Sequence, residues 1–120
     1  MAKLKKMYCY NRCSTCAKAR NWLNQNNVTF EEIDIVGTPP TKEELLKLIK
    51  EGNYPLRYFF NTSGIHYREL GLKDKVSSMS AEEASELLAN DGKLIKRPLM
   101  IEDNHFTCGF KVDVYEKEWL

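Results

Sequence analysis

This 120-residue chain contains no apolar run approaching the ~20 residues a helix needs to cross a bilayer. The apolar part of its opening, MAKLKKMYCY, is too short for a secretory signal. Both absences argue against a membrane or secreted protein, and the expected location is the cytoplasm. An excess of charge of one sign is missing too. With 18 basic residues against 17 acidic, the formal net charge is +1, so no global field draws the chain to nucleic acid or to an anionic membrane. Internal repeats, low-complexity tracts and any boundary for a second domain are also lacking. The expectation is one domain spanning 1–120, long enough to build a core without staples.

What is present is an ordinary globular composition, 42% hydrophobic and 29% charged, with four cysteines. In a reducing compartment those are expected to be catalytic, metal-binding or simply buried, not a disulfide framework. Three of them crowd into YCYNRCSTCAKARNWL, as Cys9, Cys13 and Cys16.

Residues 4–10 alternate as a strand, with Met7 and Cys9 on one face and Tyr8 and Tyr10 on the other. Residues 14–26 have a helical pattern whose apolar face is Ala17, Ala19, Trp22 and Leu23. TFEEIDI (29–35) is a second strand with Phe30, Ile33 and Ile35 as apolar members, which completes a β-α-β unit. Thr41 and Glu44 form a capping-box pattern at the head of a helix that Gly52 stops, and Ser80, Glu83 and Gly92 repeat the device. Residues 54–77 are expected to be short helices and loops. RPLMIED (97–103) and HFTCGF (105–110) are expected to form a hairpin joined at Asp103-Asn104. The tail closes with a helix carrying Val112, Tyr115 and Trp119 on one side. The order is βαβ, helices, ββα, so the fold class is α/β, a small sheet of about four strands with helices packed on it.

Cys13 falls where the first strand gives way to the helix. A helix N-terminus presents unpaired N–H groups and partial positive charge, both of which favour a thiolate, and Arg12 and Lys18 are near in sequence. Cys16 is one turn on, placed to form a disulfide with Cys13 or to resolve a mixed disulfide there. C-x-x-C opening the helix of a β-α-β unit has the form of a redox motif. Burial of both cysteines on an amphipathic helix is the plainer alternative. Cys9 and Cys108 lie inside strand patterns and are expected to be packing residues.

Two metal arrangements compete. The spacing Cys9-x3-Cys13-x2-Cys16 matches a three-cysteine iron–sulfur set, but such ligands share one loop, whereas these are spread over strand, turn and helix. A zinc site from Cys13, Cys16, His105 and Cys108 lacks a usual second spacing, and a strand points His105 and Cys108 to opposite faces. No metal is expected, and His66 and His105 are taken as surface residues.

The segments CSTCAKARNWL, FNTSGIHYRELGL, IKRPLMIED and CGF occur in this order with a spacing that resembles the family of ArsC-type arsenate reductases and Spx regulators. The resemblance runs from residue 4 to about 119. It implies a thioredoxin-like, glutaredoxin-like fold, a mixed sheet with a helical insertion over about 41–91 between the second and third strands, with Cys13 as the reactive thiol, Arg97 facing it, and a cis bond at Pro98. Arsenate reductases of this type resemble one another in holding the oxyanion with three arginines. Arg97 matches one; Asn61 stands near the second and Phe110 near the third, with Lys111 alongside and Arg57 and Arg68 in the same region. Two guanidinium forks are therefore missing, and a lysine does not replace one, which argues against arsenate as the natural substrate.

What the resemblance implies is a cytosolic thiol–disulfide oxidoreductase. Cys13 would be its nucleophile, Cys16 its resolving cysteine and Arg97 the stabiliser of charge, with Arg12, Arg97, Pro98, Asn61 and Lys111 as substrate contacts. Its substrate would be a small oxidised molecule or a protein disulfide. It would bind no cofactor and would be recycled by an external thiol reductant, glutathione with glutaredoxin or thioredoxin. The alternative is an Spx-like redox sensor that binds RNA polymerase, although FNTSGIHYREL looks more like the reductase branch and the chain stops short of the longer Spx tail.

Overall fold

The computed structural model describes residues 5–52, 54–102 and 105–120. Two compact units divide the chain: Met1–Asp34 with Arg97–Leu120, and Ile35–Lys96.

The first unit holds strands β1 (Lys6–Cys9), β2 (Glu31–Asp34), β3 (Leu99–Glu102) and β4 (His105–Cys108) in the order β2-β1-β3-β4. β1 pairs with β2 in parallel and with β3 antiparallel; β3 and β4 are antiparallel, with Glu102 opposite His105. The turn residues Asp103 and Asn104 lie outside the described residues. The strands are shorter than their patterns. Tyr10 has left β1, and Phe30 and Ile35 flank β2 without joining it. Edge strand β2 exposes Glu31, Glu32 and Asp34, charges that discourage pairing with another chain.

Register divides the sheet into two faces. Met7 pairs with Met100 and Met100 with Thr107, so these share a face with Cys9, two residues along from Met7. Tyr8, Leu99 and Cys108 share the other. Helix α1 (Ser14–Gln25) covers the first face with Cys16, Ala19 and Leu23, spaced i, i+3 and i+7. Its buried stripe therefore includes Cys16, while Ala17 and Trp22 are only half-buried. The C-terminal helix (Val112–Trp119) adds Tyr115 and Trp119 to the same core. Val112 does not join them and is 45% exposed. It occupies the first helical position, before the helix has turned its packed side to the sheet.

The second unit is the helical insertion between β2 and β3. Helix α2 (Lys42–Glu51) is capped by Thr41, whose side chain accepts from Glu44 N at 3.1 Å. Short α3 (Ile65–Glu69) and three 3-10 turns follow, then α4 (Ala81–Asn90) with a full capping box from Ser80 and Glu83. A further 3-10 turn covers Gly92–Leu94. The C-terminal helix is accordingly α5. Leu45, Leu48 and Ile49 of α2 and Ala84 and Leu88 of α4 are buried. Gly92 does not end α4, which stops at Asn90. Instead it allows close backbone approach, since a Cβ there would meet the Ile35 carbonyl, whose carbon would be 2.7 Å away.

Candidate active site

Cys13 is the N-cap of α1, in an extended conformation (φ −90°, ψ 118°) that turns the chain from β1 into the helix. Its N–H donates to Tyr10 O at 3.0 Å and its carbonyl accepts from Ala17 N at 3.1 Å. No side-chain oxygen caps this helix, so the first-turn amides remain available to the sulfur. Cys13 is half-buried. Burial alone would raise its pKa, but the hydrogen bond from the Cys16 amide, the charge of Arg97 and the Thr15 amide together bring it below the ordinary thiol value.

Cys16 has no exposed surface, and Tyr10 N–H donates to its sulfur at 3.5 Å. Its hydrogen bond with Cys9, burial and the neighbouring Cys13 sulfur push its pKa up, so it keeps its proton. One turn of helix thus separates a half-exposed thiolate from a buried thiol that touches it.

Arg97, half-buried, lies with its guanidinium carbon 5.1 Å from the centre of the Tyr10 ring, a cation–π contact. The Arg97–Pro98 bond is cis, and the buried Pro98 carbonyl accepts from Gly109 N at 2.9 Å. Gly109 adopts φ +79°, which favours glycine, in the turn that leads from β4 to Phe110. Cys13, Cys16, Arg97 and Pro98 therefore all belong to the first unit, with Cys13 and Arg97 in electrostatic contact.

Among the remaining candidates, Arg12 is exposed in the loop before Cys13, and Lys111 is exposed at the N-cap of α5. Phe110 is packed against Trp22 (centroids 6.4 Å apart) and edge-on to Tyr115 (4.8 Å), an apolar plug where the resemblance called for a guanidinium. Asn61 lies in the second unit. There its N–H donates to Leu94 O at 2.7 Å and its amide nitrogen reaches Lys93 O at 3.5 Å. Arg57 and Arg68, also in the second unit, are exposed.

Cys9 departs from its expected role as plain packing. It touches Cys16, and Arg20 Nη2 lies 3.6 Å from its sulfur. Arg20 is fixed by Glu32, with Nε–Oε1 at 2.6 Å and Nη2–Oε2 at 3.2 Å. The Cys16 thiol, more than burial opposes it, lowers the Cys9 pKa, with help from Arg20. Three thiols, not two, are in contact. The signal was present but divided. Arg20 is four residues after Cys16, on the same side of α1, and Glu32 pairs with Met7 on the face that carries Cys9. Without the strand register the two halves could not be joined.

Cys108 is buried on the opposite face of the sheet from Cys9. No disulfide joins any of the four cysteines. The two histidines are held in ion-pair geometry. His66 Nδ1 is 2.6 Å from Asp91 in the second unit, and His105 Nε2 is 2.9 Å from Glu118 in the first. Among the described residues no group of three or more His, Cys, Asp or Glu could hold a metal ion, and no helix is long and apolar enough to cross a membrane.

The chain is similar to several known proteins. The uncharacterized protein YusI of Bacillus subtilis is 49% identical over 112 residues, 93% of this chain and 95% of YusI. A global transcriptional regulator Spx of Streptococcus agalactiae is 30% identical over 101 residues, 84% of this chain and 72% of the regulator. Among solved structures, a possible arsenate reductase from Streptococcus mutans superposes with a TM-score of 0.88 at 38% identity, covering 92% of this chain and 94% of that one. The mixed sheet with its helical insertion is thus the thioredoxin-like architecture of the arsenate reductases. The ArsC family pattern runs from residue 8, inside β1, to residue 118, in the last turn of α5; it spans the cysteine turn, the insertion and the Arg97–Pro98 junction alike, and the chain belongs to the ArsC family.

Proposed function

We propose that this protein is a cytosolic thiol–disulfide oxidoreductase that starts its reaction at Cys13. The observation that carries the reading is the state of that sulfur: half-exposed, at a helix N-terminus, with the Thr15 and Cys16 amides and the Arg97 charge lowering its pKa. A thiolate so held is a nucleophile at neutral pH. It attacks one sulfur of an oxidised substrate, a small disulfide or a protein disulfide, and forms a mixed disulfide as the other sulfur leaves. Cys16, protonated until then and touching Cys13, gives up its proton and attacks the Cys13 sulfur. The substrate leaves as a thiolate, and the Cys13–Cys16 disulfide retains the oxidation. Two electrons pass from the cysteine pair to the substrate. An external thiol, glutathione with glutaredoxin or thioredoxin, returns them.

Arg97 serves as the one guanidinium matched to the family's anion set and stabilises charge on Cys13 and on the departing group. Arg12, Pro98 and Lys111 of the first unit are the further substrate contacts in this reading. With Phe110 packed into rings in place of an arginine, a tetrahedral oxyanion lacks its full complement of forks, which argues against arsenate as the natural substrate. The test is turnover of a small disulfide, and separately of arsenate, with glutathione/glutaredoxin or thioredoxin. Disulfide reduction lost in Cys13→Ser supports the reading; an inert Cys13 with ordinary thiol reactivity overturns it.

A second reading is favoured by the similarity to Spx over most of the chain. In it the Cys13–Cys16 disulfide is a sensor that changes affinity for RNA polymerase. Polymerase retained by the chain in one redox state only, with no turnover of any disulfide, selects this alternative.

A further inference from the structure

The Cys13–Cys16 pair accounts for two of the three thiols in contact and leaves unexplained why a guanidinium is aimed at the third. Cys9 is 2% exposed and Cys16 is fully buried. A cysteine that only fills space in such a core needs no cation. Arg20 nevertheless places Nη2 3.6 Å from the Cys9 sulfur and is held there by a two-pronged contact with Glu32. A clamped guanidinium beside a sulfur is useful when that sulfur carries negative charge. Cys16 is the thiol in contact with both of the others, so a disulfide bond ending at Cys16 is within reach of Cys9 without any approach from solvent.

We propose that Cys9 is a third redox centre, which exchanges into the Cys13–Cys16 disulfide to give a buried Cys9–Cys16 disulfide and a free Cys13 thiolate at the surface. The proposal rests on the preceding reading of Cys13 and Cys16 as the reacting pair. In the exchange the Cys9 thiolate attacks the Cys16 sulfur and forms the Cys9–Cys16 bond. The Cys13–Cys16 bond breaks, and its electron pair leaves with Cys13. One disulfide replaces another, so no oxidant is consumed beyond the disulfide substrate that oxidised the pair, and no proton moves. The negative charge passes from the Arg20 side of the cluster to the helix N-terminus and Arg97. Each end of the transfer has its own cation, Arg20 beside Cys9 and Arg97 beside Cys13. Arg20, one of the groups that lower the Cys9 pKa, stays beside that sulfur when Cys16 is in the disulfide, which agrees with Cys9 as the attacking sulfur.

The functional consequence is that the oxidised chain keeps its disulfide below the surface while presenting a nucleophile again. It can then engage a second disulfide, and a recycling thiol reaches the stored oxidation only after Cys13 attacks Cys16 and returns the disulfide to the surface.

The sequence offers a direct test. Trypsin cuts after Lys6, Arg12 and Lys18, so Cys9 falls in the peptide 7–12 and Cys13 and Cys16 together in 13–18. Full-length reduced protein is treated with limiting oxidised glutathione, quenched in acid, unfolded, alkylated and digested without reduction. The expected product is 7–12 disulfide-linked to 13–18, with fragmentation placing the alkyl group on Cys13. In Cys9→Ala the same treatment should stop at the bond within 13–18, with Cys13 blocked. A wild-type protein whose only disulfide is the one within 13–18, with Cys9 alkylated at every time point, overturns the relay and leaves the oxidoreductase reading intact. A protein with no disulfide at all, its Cys13 merely alkylated, overturns both.

Discussion

Trp119→Phe tests the packing that closes the cysteine face of the sheet. Trp119 is 5% exposed on α5, and its indole Nε1–H donates to Thr107 Oγ1 on β4 at 3.0 Å; Thr107 is itself only 2% exposed. The His105 ring stands edge-on to the indole at 4.6 Å. Phenylalanine keeps most of the apolar contact but loses one ring's worth of volume. At about 24 cal/mol per Å3 over about 40 Å3, the void costs about 1 kcal/mol. The lost hydrogen bond adds about 1–1.5 kcal/mol, so the single variant should lose about 2–2.5 kcal/mol. Thr107→Val leaves the indole N–H buried without an acceptor and should cost about 1.5 kcal/mol. If the bond is what couples the two sites, the double variant loses about 1 kcal/mol less than the sum of the singles. Urea unfolding followed by tryptophan fluorescence measures each corner, with Trp22 as reporter when Trp119 is gone. In thermal melts each kcal/mol should move Tm by about 4 °C for a chain of this size. Additivity within about 0.3 kcal/mol would refute the reasoning, because it would mean that the indole and hydroxyl stabilise the fold independently.

Other outcomes follow from the site and the insertion. Because the folded environment lowers the Cys13 pKa, its thiolate persists below the pH at which an ordinary thiol protonates. Iodoacetamide labelling of Cys13 should therefore stay fast as pH falls past 8.5 and decline only at a lower midpoint, whereas a midpoint at or above that of a free thiol would contradict the site's electrostatics. Arg97→Gln removes one of the causes of that shift, so labelling at neutral pH should slow by about two- to fivefold, the scale of a charge contact in a half-exposed site. Gly92→Ala would ordinarily gain up to about 1 kcal/mol by restricting the unfolded chain. Here the added Cβ meets the Ile35 backbone, so a net loss of about 2–3 kcal/mol is expected, and a variant as stable as the parent would mean the approach is looser than described. Ser80→Ala removes one half of the α4 capping box and should cost about 1 kcal/mol, read by urea midpoint.

Local chemistry was legible in the sequence wherever a few adjacent residues suffice to specify it. Thr41 with Glu44 and Ser80 with Glu83 start their helices as the patterns required, because a cap needs only a side chain and an amide three residues on. Alternation placed Met7 and Cys9 on one face of β1, and the C-x-x-C spacing at a strand-to-helix turn put Cys13 at the N-cap with Cys16 one turn behind it. The resemblance added the cis junction at Pro98, which no local rule could supply. Boundaries fared less well. A strand ends where its neighbours stop pairing, so β1 and β2 lost residues that their own alternation would have kept.

By itself the sequence determined that Cys13 and Cys16 share a turn of helix, and that two of three expected arginines are absent. Only the tertiary structure decided what those facts mean together. The azimuth of α1 over the sheet turns Cys16 inward onto Cys9, while the pairing of β1 with β2 brings Glu32 to the same face to hold Arg20 against that sulfur. The ring of Phe110 is packed against both Trp22 and Tyr115, which also touch each other, and this closes in apolar contact a position that composition alone would have left open. Helical period and strand alternation each fix a direction within one element. Which sulfurs meet depends on how the two directions are superposed, and packing sets that.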